Sequence, residues 1–176
     1  MGSTELIRRR AMMGGEKEVD PYKNMIIADF TISSVQTMLL TRNDTSFYRR
    51  IVVDGVDIPV SASMSIELSA GRHRVAWLLS DITTVAYLPN NTFAKSDYIL
   101  TIPGRVTHIP SYSLRDCPIG RLNRVDCYAT TPPTVDSNAW LWDNNANGPL
   151  YVPKGTLSLY QSTSPWSTRL YIYEMD

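Results

Sequence analysis

The sequence predicts a mainly β protein: a small antiparallel, sandwich-like β module followed by a short β-solenoid with a C-terminal cap. Three observations carry this. The apolar residues fall in short β-branched runs separated by turn residues, the pattern of half-buried strands. An Asp54-Gly55 pair separates Ile51-Val52-Val53 from Val56-Asp57-Ile58, and glycine accepts the positive φ that a two-residue hairpin turn demands. From Leu78 onward an apolar strand start recurs at Ile99, Val125 and Leu150, in steps of 21, 26 and 25 residues.

A length of 176 residues suits one domain or two small ones, and a hydrophobic content of 43% can build a core, which excludes wholesale disorder. Seventeen basic side chains balance seventeen acidic ones. General binding to polyanions needs an excess of positive charge, so nucleic acid is not an expected partner.

Residues 1–24 read as an arm. Thr4 can cap a short helix that Gly14-Gly15 ends. Leu6, Ile7, Met12 and Met13 have too few partners within the arm to be buried there, and Arg8, Arg9 and Arg10 offer charge to an acidic surface. These seven residues are the candidate docking contacts, and a solvated tail is the alternative. The first residues lack the apolar core of roughly 7–15 residues that a secretory signal needs. No apolar run approaches the ~20 residues that span a bilayer. The expectation is a chain neither exported by a recognisable signal nor inserted in a membrane.

Residues 25–80 are a run of strands: Met25–Ile32, Val35–Arg42, Arg49–Val53, Met64–Leu68 and Arg72–Leu79, separated by Asn43-Asp44, Asp54-Gly55 and Ala70-Gly71. Arg72, Arg74 and Ala76 alternate with His73, Val75 and Trp77, giving one wet and one dry face. The run Ile51-Val-Val-Asp-Gly-Val56, followed by Ile66-Glu-Leu-Ser-Ala-Gly-Arg-His-Arg-Val75, resembles the PEGA-type β module.

Residues 81–176 carry the repeat. Hexamers Leu88–Phe93, Ile109–Leu114 and Val135–Trp140 each open on an aliphatic residue and end on a large apolar one, ten residues after Leu78, Ile99 and Val125. A period of 20–29 residues with one strand per unit falls in the leucine-rich-repeat range. The stretch Ile102–Cys117 is similar to one repeat of the BspA-type leucine-rich repeats. Cys127-Tyr-Ala-Thr-Thr-Pro-Pro133, Leu150-Tyr-Val-Pro153, Tyr160 and Trp166 resemble the closing end of such arrays. The resemblance implies leucine-rich-repeat-like turns sealed by a C-terminal cap at Thr156–Trp166. A stack this short needs a partner at its N-terminal end. Strand Arg72–Leu79 is expected to run into the first turn, so that the β module caps it. Open sheet edges on such a body invite pairing with another chain.

Reactive chemistry is sparse. Cys117 and Cys127 read as buried structural thiols, with a disulfide between them left open. Asp143–Gly148 matches the first half of a calcium loop, but Lys154 stands where the loop's closing glutamate is required, so a polar turn is the favoured reading. Gly148–Gly155 lacks the glycine that a phosphate loop places before its lysine. His73 and His108 lie within strands or repeats and read as structural. No cofactor or metal is assigned. Aromatic residues gather near the C-terminus; most suit a core or cap, and Trp142, Tyr151, Trp166, Tyr171 and Tyr173 are the candidate exposed contacts. The expected function is non-enzymatic: a homo-oligomeric bacteriophage head-fibre, tail-fibre or decoration protein, docked by its arm on capsid, portal or tail. The alternative is a bacterial cell-surface or secreted adhesin module that binds host glycan or protein.

Overall fold

The computed structural model describes residues 20, 22–41, 44–85, 97–111, 121–137, 148–169 and 171–176. The arm contacts Leu6, Ile7, Arg8, Arg9, Arg10, Met12 and Met13, the hexamer Leu88–Phe93, Cys117, Trp142 and positions 143–147 of the polar loop lie outside the described residues.

Among the described residues the protein is mainly β, with strands at 45% and helices at 8%. The strands are β1 (Ile26–Ile32), β2 (Gln36–Leu39), β3 (Tyr48–Val53), β4 (Val56–Ile58), β5 (Ser65–Leu68), β6 (Gly71–Leu79), β7 (Asp97–Ile102), β8 (His108–Ile109), β9 (Arg121–Cys127), β10 (Thr134–Val135), β11 (Leu150–Val152) and β12 (Ile172–Glu174). A short helix α1 (Leu157–Ser162) and a 3-10 turn (Trp166–Thr168) precede β12.

Eight strands form one mixed sheet in the order β12-β11-β9-β7-β1-β6-β3-β4. From β4 to β7 every neighbouring pair is antiparallel. From β7 to β12 every pair is parallel, with Leu100, Val125, Leu150 and Ile172 in register. A second, parallel ladder aligns Thr84 with His108 and His108 with Thr134.

Three expectations about this region change. The strand position expected at Ile99 falls one residue later: Ile99 faces Arg124, and Leu100 stands in line with Val125. β6, the strand of Leu78, does not adjoin the first parallel strand, because β1 lies between them. β1 pairs on both sides, Ile27 facing Ala76 of β6 and Thr101 of β7. Its residues Ile26, Ala28, Phe30 and Ile32 are all buried, so β1 and not β6 covers the end of the parallel half. In the second ladder the bridge at Thr84 puts Val85 in line with Ile109, whereas the hexamer spacing pointed to Leu88.

The Asp54-Gly55 hairpin forms as the residue pair demands, joining β3 to β4 with φ of 51° and 86° at its two turn positions. On β6, His73, Val75 and Trp77 face the core while Arg72 is exposed. Ala76 departs from the expected wet face: it is buried with Met25 and Val52 in a small outer cluster that Tyr22, Ile27 and Leu78 flank.

The inner face of the sheet packs against β2–β5, the second ladder and α1 to make one continuous core. The Trp77 indole N–H donates to the Leu40 carbonyl at 2.9 Å, which ties β6 to the end of β2. Successive segments of the parallel half approach closely. A Cβ on Gly104 would stand 2.9 Å from the Tyr128 carbonyl oxygen, so only glycine fits there.

Candidate binding surface

Alternation along each strand sends half of its side chains to the outer face of the sheet. In the parallel half these are Ile99 and Thr101 on β7, Arg124 and Asp126 on β9, Tyr151 on β11 and Tyr173 on β12. Adjacent strands lie about 4.8 Å apart, close to the stacking distance of planar groups. The sheet therefore builds a ladder. The Arg124 guanidinium lies 3.8 Å from the centroid of the Tyr151 ring, and Tyr173 follows at 5.5 Å with an interplanar angle of 36°. Asp126 holds Arg124 in place by accepting its Nε–H. A guanidinium stays protonated in proteins, so the cation over the ring is permanent, and the pairing with Asp126 raises its pKa further.

Two other outer-face arginines are paired in the same way. Arg74 makes a fork to Asp29 at 2.8 and 3.0 Å, and Arg50 a fork to Asp57. These three arginines therefore spend their charge within the sheet, which leaves planar aromatic surface as the character of the parallel half.

Of the five aromatic candidates, Tyr151 and Tyr173 come together in this ladder, and Tyr171 stands exposed beside them at 54%. Trp142 lies outside the described residues. Trp166 is a correction: it is 1% exposed and belongs to the core. Its indole N–H donates to the Pro133 carbonyl at 2.8 Å, and its ring meets Tyr160 edge-on at 5.4 Å. With its polar atom satisfied internally, the whole side chain can be buried. Sequence reasoning missed Arg124 and Asp126, although their spacing at i and i+2 on a strand puts them on one face. It also missed Tyr128, which is 52% exposed just beyond β9.

The residues of the closing motif converge beneath this face. Tyr160 is fully buried, and its hydroxyl donates to the Ala129 carbonyl at 2.7 Å. That uses its one proton, so the Cys127 thiol, 3.2 Å away, is the donor to the same oxygen. Cys127 is a free, buried thiol whose pKa is pushed up by burial.

Both histidines pair with aspartates. His73 presents Nδ1 to Asp54 and Nε2 to the Ser69 carbonyl, each at 2.8 Å. Two acceptors flank one ring, an arrangement that suits the imidazolium and leaves no lone pair for a substrate proton or a metal. Asp54 also accepts the Arg74 amide, so the group clamps the β3–β4 turn onto β6. His108 Nε2 lies 3.1 Å from Asp136, whose other oxygen accepts the Ser111 amide. These bonds hold the Asp136 carboxyl below its usual range. The Ser111 hydroxyl donates to the Ser137 carbonyl and not to His108, so this Ser–His–Asp grouping is not wired as a nucleophile. Among the described residues, no cluster of three His, Cys, Asp or Glu is placed to hold a metal ion, and no helix is long and apolar enough to cross a membrane.

Comparison with protein-family models, curated proteins and solved structures found no match to this chain.

Proposed function

We propose that the protein is a non-enzymatic structural or attachment component of a bacteriophage particle, a head-fibre, tail-fibre or decoration protein. In this reading residues 81–176 are leucine-rich-repeat-like solenoid turns, residues 25–80 are the N-terminal β module that caps them, and residues 1–24 dock the body on capsid, portal or tail. The observation that carries the proposal is the parallel ladder Leu100–Val125–Leu150–Ile172 with Tyr160 and Trp166 packed at its end. Strands recurring every 22–25 residues in one register support stacked turns. The burial of the closing-motif residues in one hydrogen-bonded cluster supports a cap. A scaffold role is favoured by histidines that are spent as clamps and by arginines neutralised within the sheet.

The second reading, a cell-surface adhesin that binds glycan or protein, draws on the exposed rings of Tyr128, Tyr171 and Tyr173, which suit stacking on a sugar or a partner side chain. Mass spectrometry of purified phage particles and of washed producing cells separates the two. The proposal expects the protein in particles at a structural copy number. Its absence from particles, with presence on washed cells, would reverse the ranking.

A further inference from the structure

We infer that the β12 edge is a self-association surface, on which a second copy of this chain adds its own β12 antiparallel to the first. The main chain supplies the first reason. Among the described residues, strand β12 ends the sheet order and pairs only with β11. The Tyr171 carbonyl accepts the Leu150 amide, and the Met175 amide donates to the Val152 carbonyl, so residues 171, 173 and 175 turn their polar groups toward β11. By alternation, Ile172 and Glu174 turn theirs outward, and among the described residues these groups have no partner.

The side chains supply the second. Arg124 covers one side of the Tyr151 ring and Tyr173 the other, so the stack is closed everywhere except at Tyr173. The face of that ring turned away from β11 looks past the open edge, where the next strand would stand. A partner strand that brings a planar side chain to this position extends the backbone ladder and the ring stack together.

A second copy meets both demands in one register. With Tyr173 on the two-fold axis, Tyr173 faces its symmetry mate, and Ile172 of each copy faces Glu174 of the other. All four outward amide and carbonyl groups of each strand are then paired. Shifting the axis to Glu174 sets Ile172 opposite Asp176, beyond the end of β12, and leaves the Ile172 groups of both strands outside the matched pair. Shifting it to Ile172 leaves the Glu174 groups of both strands outside the matched pair. The edge is short, well under the ~1,200 Å² of total buried area that a stable interface has, so the dimer is weak in dilute solution. Many copies held on one surface raise its effective concentration.

The inference rests on the reading of this chain as a self-assembling structural component, but its test uses the full chain in solution without any particle. Absence from particles therefore leaves the dimer standing, and a monomer in solution leaves the particle assignment standing. In sedimentation velocity, the wild-type chain is expected to shift toward the dimer between micromolar and millimolar concentration. Tyr173→Lys is expected to weaken that shift at least tenfold while lowering the melting temperature by no more than about 4 °C, the loss of one cross-strand contact, and Tyr128→Lys leaves the shift intact. In a Cys117→Ser background, Tyr173→Cys should form a disulfide dimer under mild oxidation, since facing residues lie within the 4.4–6.8 Å Cα separation a disulfide needs. Tyr171→Cys, about 14 Å from its mate in this register, should not. A wild-type chain that stays monomeric at millimolar concentration, or cross-linking through Tyr171→Cys but not Tyr173→Cys, overturns the inference.

Discussion

Replacing Tyr160 by Phe removes one oxygen from the buried closing cluster and tests whether that cluster holds the end of the sheet. The ring can stay where it is, edge-on to Trp166, because Phe has the same shape without the hydroxyl. Two groups lose their partner: the Ala129 carbonyl, bonded at 2.7 Å, and the Cys127 thiol at 3.2 Å. A buried carbonyl left unsatisfied costs roughly 1–3 kcal/mol, and a thiol, being a weak donor, adds little. The expected loss is about 2 kcal/mol, or about 4–8 °C in melting temperature for a chain of this size. Cys127→Ala leaves the bond from Tyr160 to Ala129 intact and should cost about 1 kcal/mol, mainly through lost packing. Once the hydroxyl is gone the thiol has nothing to donate to, so the double variant should cost less than the two single changes together. Urea unfolding followed by tryptophan fluorescence measures all three. A Tyr160→Phe loss under about 0.5 kcal/mol, or a larger loss from Cys127→Ala, would refute the assignment of the hydroxyl as the cluster's central bond.

Gly104→Ala and Gly155→Ala separate steric from conformational cost. A Cβ at 104 meets the Tyr128 carbonyl at 2.9 Å, whereas one at 155 meets nothing within 4 Å and pays only for a φ of 82°. Gly155→Ala should cost about 1 kcal/mol and Gly104→Ala distinctly more; equal melting temperatures would contradict the close approach. For His73, burial lowers the pKa, while the hydrogen bonds to Asp54 and the Ser69 carbonyl raise it, and the net direction is upward from 6.5. A raised folded-state pKa means that the stabilisation is fully present below the unfolded value and is lost as pH rises through the folded one. The melting-temperature difference between wild type and His73→Gln should therefore be largest near about pH 5.5 and shrink toward about pH 8.5; a difference that grows with pH refutes the clamp. Cys127, buried and with its pKa raised, should resist alkylation in the native protein and react fully once unfolded, as peptide mass mapping can read. Rapid native labelling of Cys127 would place it outside the core.

The parts of the fold legible in the sequence are those written in local chemistry. Asp54-Gly55 announces its hairpin because a two-residue turn needs positive φ at both positions, and both have it. The alternation His73-x-Val75-x-Trp77 marks the core face of β6 for an equally local reason. Spacing was informative where a strand of one segment meets its counterpart in the next, as with Val125 beside Leu150 and Ile109 beside Val135. It was misleading at Leu78. The neighbour of a strand that starts a run is set by long-range pairing, and β1, distant in sequence, had the apolar inner face and the two free edges to fill that place. No period within residues 78–150 contains that information.

The surface was legible in kind but not in detail, and the reason bears on what the protein does. Composition alone treats Tyr151, Trp166 and Tyr173 alike, as large aromatic side chains near the C-terminus. What sorts them is where a polar partner is found. Trp166 has the Pro133 carbonyl within the core and disappears into it, while Tyr151 and Tyr173 fall on outward positions of neighbouring strands and stack on each other and on Arg124. An isolated cross-strand contact of this sort contributes only about 0.2–1 kcal/mol, too little to explain a three-membered ladder as a stabilising device alone. Its place explains it better. The ladder runs along the hydrogen-bonding direction and ends on an open ring directly above an open main-chain edge. A chain selected only as a monomer has reason to blunt that edge with charge or proline at its outer positions. Here the outward main-chain groups belong to Ile172 and Glu174, and Glu174 turns its carboxylate back to accept the Gly155 amide at 2.7 Å. The carboxylate that would guard the edge is used inside the subunit, which leaves the edge open to a second strand.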